Sequence, residues 1–385
     1  MNREYVNYLT ICLLISLGLY LCFTGGYGSD EDTLALIGAY ESMLGGGTLM
    51  ASRFTPYPVA EIGIGFLSYQ FGSSAANVST FLFILFSAMF FYYSFNLKQK
   101  NKNLIFFLIL VLTNPVIFFD NLEPIDYSWA LLPLSIGMYC LKKKYYEVAI
   151  IFFGISIGAR IYFFLFLVPI IFLIKYSPDL KISRKILMFF GSFFIGGLFY
   201  LPFWIENGFA LDWITAATPY SQGFLGIISR FLYKIAMSFS ILTFVTLFVI
   251  FIILKIKNKI KYENNLIGII TVNLLIFIFI PAELSYLQPF LFCIYYLIFL
   301  NFNPKILYMI VILNLLSWIV EVKPLEIQYK SDDICNNVEA VGANININIS
   351  QGRLFEHIDS RQKIKCWIND NSERSQKILK GKALK

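Results

Sequence analysis

Charge is what this sequence has least of. Only 14% of its 385 residues are Asp, Glu, Lys or Arg, against about 25% in a soluble domain. That shortage, with 58% hydrophobic residues, excludes an ordinary water-soluble fold. Histidine is rarer still: the single His357 cannot build a His-rich metal centre. No cleavable signal is evident either. The first apolar run, Tyr8 to Phe23, has no small-residue cleavage site after it and reads as a retained anchor. No internal repeat stands out. The net charge of +7 does not argue for nucleic acid, because most Lys residues sit in short loops, where they set membrane topology.

What the chain has is apolar runs of spanning length. Each must satisfy its own backbone in lipid, so the fold class read from the sequence is an all-α polytopic membrane protein. The expected spans are Val6–Thr24, Val78–Phe95, Leu104–Phe119, Tyr127–Leu141, Val148–Gly158, Ile161–Ile174, Ile186–Phe203, Met237–Leu254, Leu266–Ile280, Tyr286–Leu300 and Ile306–Val320. That is about eleven transmembrane helices. Asp32–Leu44 and Val59–Phe71 read as interfacial helices in the first outer loop. Lys-rich loops fall on one side and acids on the other, which supports the alternation. Residues 1–320 form the transmembrane domain, and the polar tail, 321–385, a small extracytoplasmic C-terminal domain with strand-like alternation from Val338 to Ile349. Outside the cytoplasm a disulfide between Cys335 and Cys366 is permitted. Cys12, Cys22, Cys140 and Cys293 read as packing residues.

The notable polar groups sit at the outer ends of different helices: Asp30, Glu31 and Asp32; Arg53 and Glu61; Asp120, Glu123 and Asp126; Arg160; Gln222, Arg230 and Lys234; Glu283, Tyr286 and Gln288. Ionisable residues near the membrane are costly and often mark a site. Carboxylates beside cations suit group transfer from a lipid phosphate. A carboxylate takes a proton from an attacking hydroxyl, Arg or Lys holds the leaving phosphate, and acids can bind a divalent metal. Bland readings stand beside these. Arg53 can snorkel to headgroups, Asp120 and Glu123 read as solvated loop acids, and Tyr127 and Trp129 as interface aromatics. Arg230 and Lys234 can anchor an interfacial helix.

Five stretches stand out in order: Ser29-Asp30-Glu31-Asp32 after the first helix, Ser52-Arg53-Phe54-Thr55-Pro56-Tyr57-Pro58-Val59-Ala60-Glu61, Thr113-Asn114-Pro115 with Ile125-Asp126-Tyr127, Gly154 to Arg160, and Leu284-Ser285-Tyr286-Leu287-Gln288-Pro289. Together they resemble the GT-C glycosyltransferases, polytopic enzymes of the protein mannosyltransferase and aminoarabinose transferase type. Thr55 departs from the Gly common at its place. The resemblance implies an inverting transfer of a sugar from a polyprenyl-phosphate donor to an extracytoplasmic acceptor (glycan, lipid or protein), in a prokaryotic plasma membrane. It implies a catalytic base at Asp30, with Asp32 second, and Asp126 as a second acid. Arg160, with Arg230 or Lys234, would bind the donor phosphate. Glu31, Arg53, Tyr57, Glu61, Tyr127, Gln222, Glu283, Tyr286 and Gln288 would line the substrate. A divalent metal, Mg or Mn, is left open, with Asp30 and Asp126 as its ligands.

Two other functions compete. A surface-polysaccharide polymerase needs a late outer loop with several Arg, and Trp204–Arg230 has one. A flippase or transporter of lipid-linked glycans needs paired broken helices.

Overall fold

Asn114 and Pro115 divide what the sequence presents as one apolar helix. In a computed structural model of the chain, residues 3–29, 31–46, 51–52, 56–95, 101–173, 180–206, 224–256, 264–279, 283–329, 340–361, 364–365, 368 and 372–385 are described. The chain opens with α1 (Arg3–Thr24), passes through α2 (Glu31–Leu44) and α3 (Pro58–Phe71), and returns along α4 (Ser73–Phe95). Next come α5 (Asn101–Leu112), α6 (Pro115–Phe119), α7 (Tyr127–Lys142), α8 (Tyr146–Ala159), α9 (Phe164–Phe172) and α10 (Ile182–Glu206). The second half holds α11 (Phe224–Phe239), α12 (Ile241–Ile256), α13 (Asn264–Phe279), α14 (Gln288–Asn301) and α15 (Pro304–Ile319). The tail adds β1 (Val320–Tyr329), β2 (Ala340–Gln351), α16 (Arg353–Ser360) and α17 (Glu373–Leu379).

These are the marks of a helical membrane protein. Among the described residues, four helices are long and apolar enough to cross a bilayer, or up to six if each of two bent pairs counts as one span. Four further apolar helices among them are shorter, α8, α13 and α15 included. The short helices pack by close approach of small residues. A Cβ on Gly154 would lie 2.5 Å from Ile195 and one on Gly158 2.5 Å from Phe199, so α8 and α10 touch almost backbone to backbone.

The helix expected from Leu104 to Phe119 is bent: it is α5 and α6, turned by 85°. The span expected from Met237 to Leu254 starts instead at Ile241 as α12, and the stretch before it, read as a loop up to Arg230, is the helix α11, which meets α12 at 94°. The first break is made by Asn114, whose Oδ1 caps α6 by accepting from Ile117 N at 2.9 Å, with Pro115 at the first helical position. The second break falls at Ser240, which takes φ +66°. Each break needs partners for its freed backbone groups; the first break supplies one to the second, and α15 supplies one to the first. Asn114 Nδ2 donates to Ser238 O at 2.8 Å and to the Tyr295 hydroxyl at 3.0 Å. Asn314 Nδ2 donates to the same hydroxyl at 3.1 Å, and Trp318 Nε1 to Thr113 O at 2.9 Å.

The tail is not all-helical. β1 continues α15 and pairs antiparallel with β2, Val320 opposite Gln351 and Val322 opposite Ile349. Beyond the hairpin the chain lies back along the start of the molecule. Arg361 Nη2 donates to Leu21 O at 3.1 Å, the Tyr27 hydroxyl to Lys382 O at 2.9 Å, and Ser73 N to Gly381 O at 3.1 Å. Arg374 grips Glu41 through two donors, at 2.9 and 2.6 Å. Cys335 and Cys366 lie outside the described residues.

Candidate active site

α8 ends at Arg160, whose extended backbone turns the chain into the Ile161–Phe163 turn. Its guanidinium is fully buried. A charge taken out of water costs several kcal/mol unless it is closely paired. Asp126, at the N-cap of α7, supplies the partner through Oδ2, and the Tyr162 hydroxyl accepts from Nη1. Four tyrosine rings enclose the rest. The guanidinium carbon lies 3.3 Å from the Tyr127 ring centre, 4.8 Å from Tyr57, 4.9 Å from Tyr286 and 5.5 Å from Tyr162. Their π faces favour a desolvated cation. Nη2 is buried with no hydrogen-bond partner among the described residues.

The tyrosines connect this pair to two more carboxylates. The Tyr127 hydroxyl donates to Glu283 Oε2 at 2.8 Å. Tyr57 is the N-cap of α3, and Glu61 in the first turn reaches back to it: Glu61 Oε1 accepts from Tyr57 N at 3.2 Å and Ser52 N at 2.9 Å. Burial pushes the Glu61 carboxyl above the usual range, and the donors from Ser52 and Tyr57 offset part of that. Tyr200, fully buried on α10, is held by donating to Ile157 O at 2.9 Å.

A second polar group adjoins the first across the Leu284–Leu287 turn. Glu283 faces Tyr127, while Ser285 donates to Asp120 Oδ2 at 2.7 Å. Asp120 is therefore a bonded residue of the site rather than a solvated loop acid. Glu123 is buried and accepts from Ser29 N at 3.0 Å, so it too departs from that reading. Its Oε1 stands 3.5 Å from His357 Nδ1. Arg361 donates to His357 Nε2 at 2.9 Å. Since Arg only donates, the ring proton sits on Nδ1, towards Glu123. Burial, followed by Arg361, lowers the His357 pKa to about 3.

Seven of the residues expected at the site thus come together: Tyr57, Glu61, Asp126, Tyr127, Arg160, Glu283 and Tyr286. Glu31 is exposed and Asp32 half-buried in the first turn of α2. Gln288 is buried at the start of α14, and neither its Oε1 nor its Nε2 makes a hydrogen bond among the described residues. Lys234 lies within electrostatic range of Asp120, and Arg230 within range of Lys234. Asp30, Arg53 and Gln222 lie outside the described residues. Of the two expected metal ligands, Asp126 gives Oδ2 to Arg160, and Asp30 lies outside the described residues; among the described residues no three His, Cys, Asp or Glu converge. The sequence reading assigns no role to Ser52, Tyr162 or Ser285, although Ser52 and Ser285 lie in stretches it singles out. Tyr162 had a signal, since it stands two residues from Arg160 across a sharp turn. Trp129 is no mere interface aromatic: Gly63 packs on its ring and Nε1 donates to the Thr80 hydroxyl at 3.3 Å.

Compared with known proteins, the chain matches no family model, no curated protein and no solved structure.

Proposed function

We propose that the chain is an integral membrane glycosyltransferase that moves one sugar from a polyprenyl-phosphate donor to an extracytoplasmic acceptor, with inversion. The observation that supports this reading is the meeting of Glu61, Asp126, Arg160 and Glu283, from four distant stretches, in one polar nest within an apolar bundle. Such groups are costly at membrane depth and mark a site by default. In the proposed step an acceptor hydroxyl attacks the sugar's reacting carbon. The bond from that carbon to the phosphate oxygen breaks, and the phosphate leaves with the electron pair. The acceptor proton passes to a carboxylate. Asp30, between α1 and α2, is proposed as that base, with Asp32 as its rival. Asp126 holds Arg160 in place, and Glu283 orients Tyr127. The site is proposed to face away from the cytoplasm of a prokaryotic cell.

The test is single-turnover transfer by the purified full chain from a panel of polyprenyl-phosphate sugars. Loss of a general base removes about 10²–10⁴-fold in rate, so Asp30→Asn should abolish transfer while donor still binds. Near-normal rates in both Asp30→Asn and Asp32→Asn would take the acidic loop out of the mechanism.

One observation favours a second reading, a flippase or transporter of lipid-linked glycans. The two bent helix pairs brace each other at their breaks, and broken helices are a transporter device. Reconstituted vesicles separate the two: a flippase moves the lipid-linked sugar across the bilayer intact, whereas a transferase severs it.

A further inference from the structure

Arg160 is the residue from which donor-phosphate binding was expected, yet it is fully enclosed, paired with Asp126 and covered by tyrosine rings. A phosphate arriving along the membrane needs cations it can reach. Arg230, Lys234 and Arg353 are three such cations. Arg230 and Lys234 are one turn apart on α11, and both are partly exposed. Arg353, the first residue of α16, has 24% of its side chain exposed. Lys234 lies within electrostatic range of Arg230, Glu283, Arg353 and Asp120. Arg353 lies within range of Asp120 as well.

Each acid nearby makes a hydrogen bond of its own or stands off from Arg353. Asp120 accepts from Ser285 at 2.7 Å and Glu283 from Tyr127 at 2.8 Å. Arg353 approaches Glu321 no closer than 3.7 Å and Glu356 no closer than 3.8 Å, beyond hydrogen-bond length. Its Nε is buried with no hydrogen-bond partner among the described residues. A guanidinium whose ion pairs are all at a distance keeps its forked donors for an anion with two oxygens to offer. Its position is fixed by the fold. Gly352 N donates to Ile319 O at 2.9 Å, and a Cβ on Gly352 would come within 2.5 Å of the Trp318 carbonyl. The start of α16 is thereby held directly against the end of α15.

We infer that Arg353, carried by the C-terminal tail, completes a phosphate-binding group with Arg230 and Lys234, and that the ligand is the phosphate of a polyprenyl-linked substrate. The inference rests on the donor class proposed above. It makes Arg160 a positioning residue and gives the tail a direct part in holding substrate.

The experiment measures binding of a polyprenyl monophosphate to the purified full chain in phosphatidylcholine nanodiscs. The unphosphorylated polyprenol and inorganic phosphate serve as parallel ligands, and thermal unfolding is recorded for each variant. Hydrogen bonds to charged groups are worth enough that Arg353→Gln should weaken binding by about 10–100-fold. Arg353→Lys, which keeps charge without the fork, should recover about a tenth or more of the affinity. Glu321→Gln removes the acid beside Arg353, so it should bind at least as tightly as the parent. Equal binding by Arg353→Gln and the parent would overturn the inference alone. So would Glu321→Gln falling as far as Arg353→Gln, since both would then act only through tail packing. Equal affinity for inorganic phosphate would assign the group to a free anion and overturn the lipid ligand. A parent chain that binds no polyprenyl phosphate at all would overturn the proposed donor class and this inference together.

Discussion

The Arg160 guanidinium lies 3.3 Å from the centre of the Tyr127 ring, while the hydroxyl of that same tyrosine donates to Glu283 at 2.8 Å. One side chain therefore answers a cation with its face and an anion with its edge. It ties the end of α8 to the turn before α14.

Removing Asp126 leaves that cation buried without its counter-charge. Breaking such a pair costs about 3–5 kcal/mol, so Asp126→Asn should unfold at markedly lower temperature. The double variant Asp126→Asn with Arg160→Met should be less destabilised than Asp126→Asn alone. Thermal unfolding of the three chains in one detergent checks this. A double variant worse than the single would show that the pair is not the interaction that matters.

Glu61 is a test of acceptor against charge. Glu61→Gln keeps an oxygen for Ser52 N and Tyr57 N, and should alter stability little. Glu61→Ala strands both amides, at a cost of about 1–3 kcal/mol, and should loosen the start of α3. Hydrogen exchange at residues 51–61 reads the difference, and equal protection in both variants would count against the capping role.

The His357 contact should weaken in acid. The folded chain holds this imidazole at about 3, below its ordinary value near 6.5. The folded state therefore binds the proton less readily than the unfolded one. The stability it contributes is full above about pH 6.5 and is lost as pH falls towards 3. At pH 5 the loss is about 2 kcal/mol. The ring meets Arg361 on one nitrogen and Glu123 on the other, with Phe119 5.6 Å away between ring centres. Glu123 opposes the shift, but burial and Arg361 outweigh it. Melting curves from pH 7.5 to 5 should show the effect in the parent chain and not in His357→Gln.

At the crossed breaks, Asn114→Ala removes both the cap of α6 and the bond to Ser238. A lost cap alone costs about 1 kcal/mol, and a stranded buried carbonyl adds about 1–3 kcal/mol. Asn114→Ala and Asn314→Ala should be non-additive, because both side chains donate to the Tyr295 hydroxyl. A double-mutant cycle on unfolding temperature measures that coupling, and strict additivity would refute the shared network.

Much of this was legible in the sequence because helix-forming apolar runs carry their own boundaries. α1, α2, α3 and α7 fall close to their expected limits, and Pro58 marks the start of α3. The breaks were not legible. Asn114-Pro115 is a local signal, but the bend at Ser240 depends on Asn114 from far along the chain. The site was half legible for a similar reason. Arg160 and Asp126 stand out as charges in apolar surroundings, whereas Arg353 sits in a polar tail where one arginine looks like any other. Only the return of the tail to the bundle distinguishes it.

That return also fixes an order of events during synthesis. The Tyr27 hydroxyl and Lys382 O are 355 residues apart. At ribosomal speeds of about 5–20 residues per second, the loop after α1 waits many seconds for the segment that secures it. In that interval α2 lacks the grip of Arg374 on Glu41, α3 the bond from Leu384 N to Tyr69 O, and the start of α4 the bond from Ser73 N to Gly381 O. The opening loop is among the earliest parts made and the last to be locked, so the polar nest it borders reaches its final form only when the whole bundle is in place.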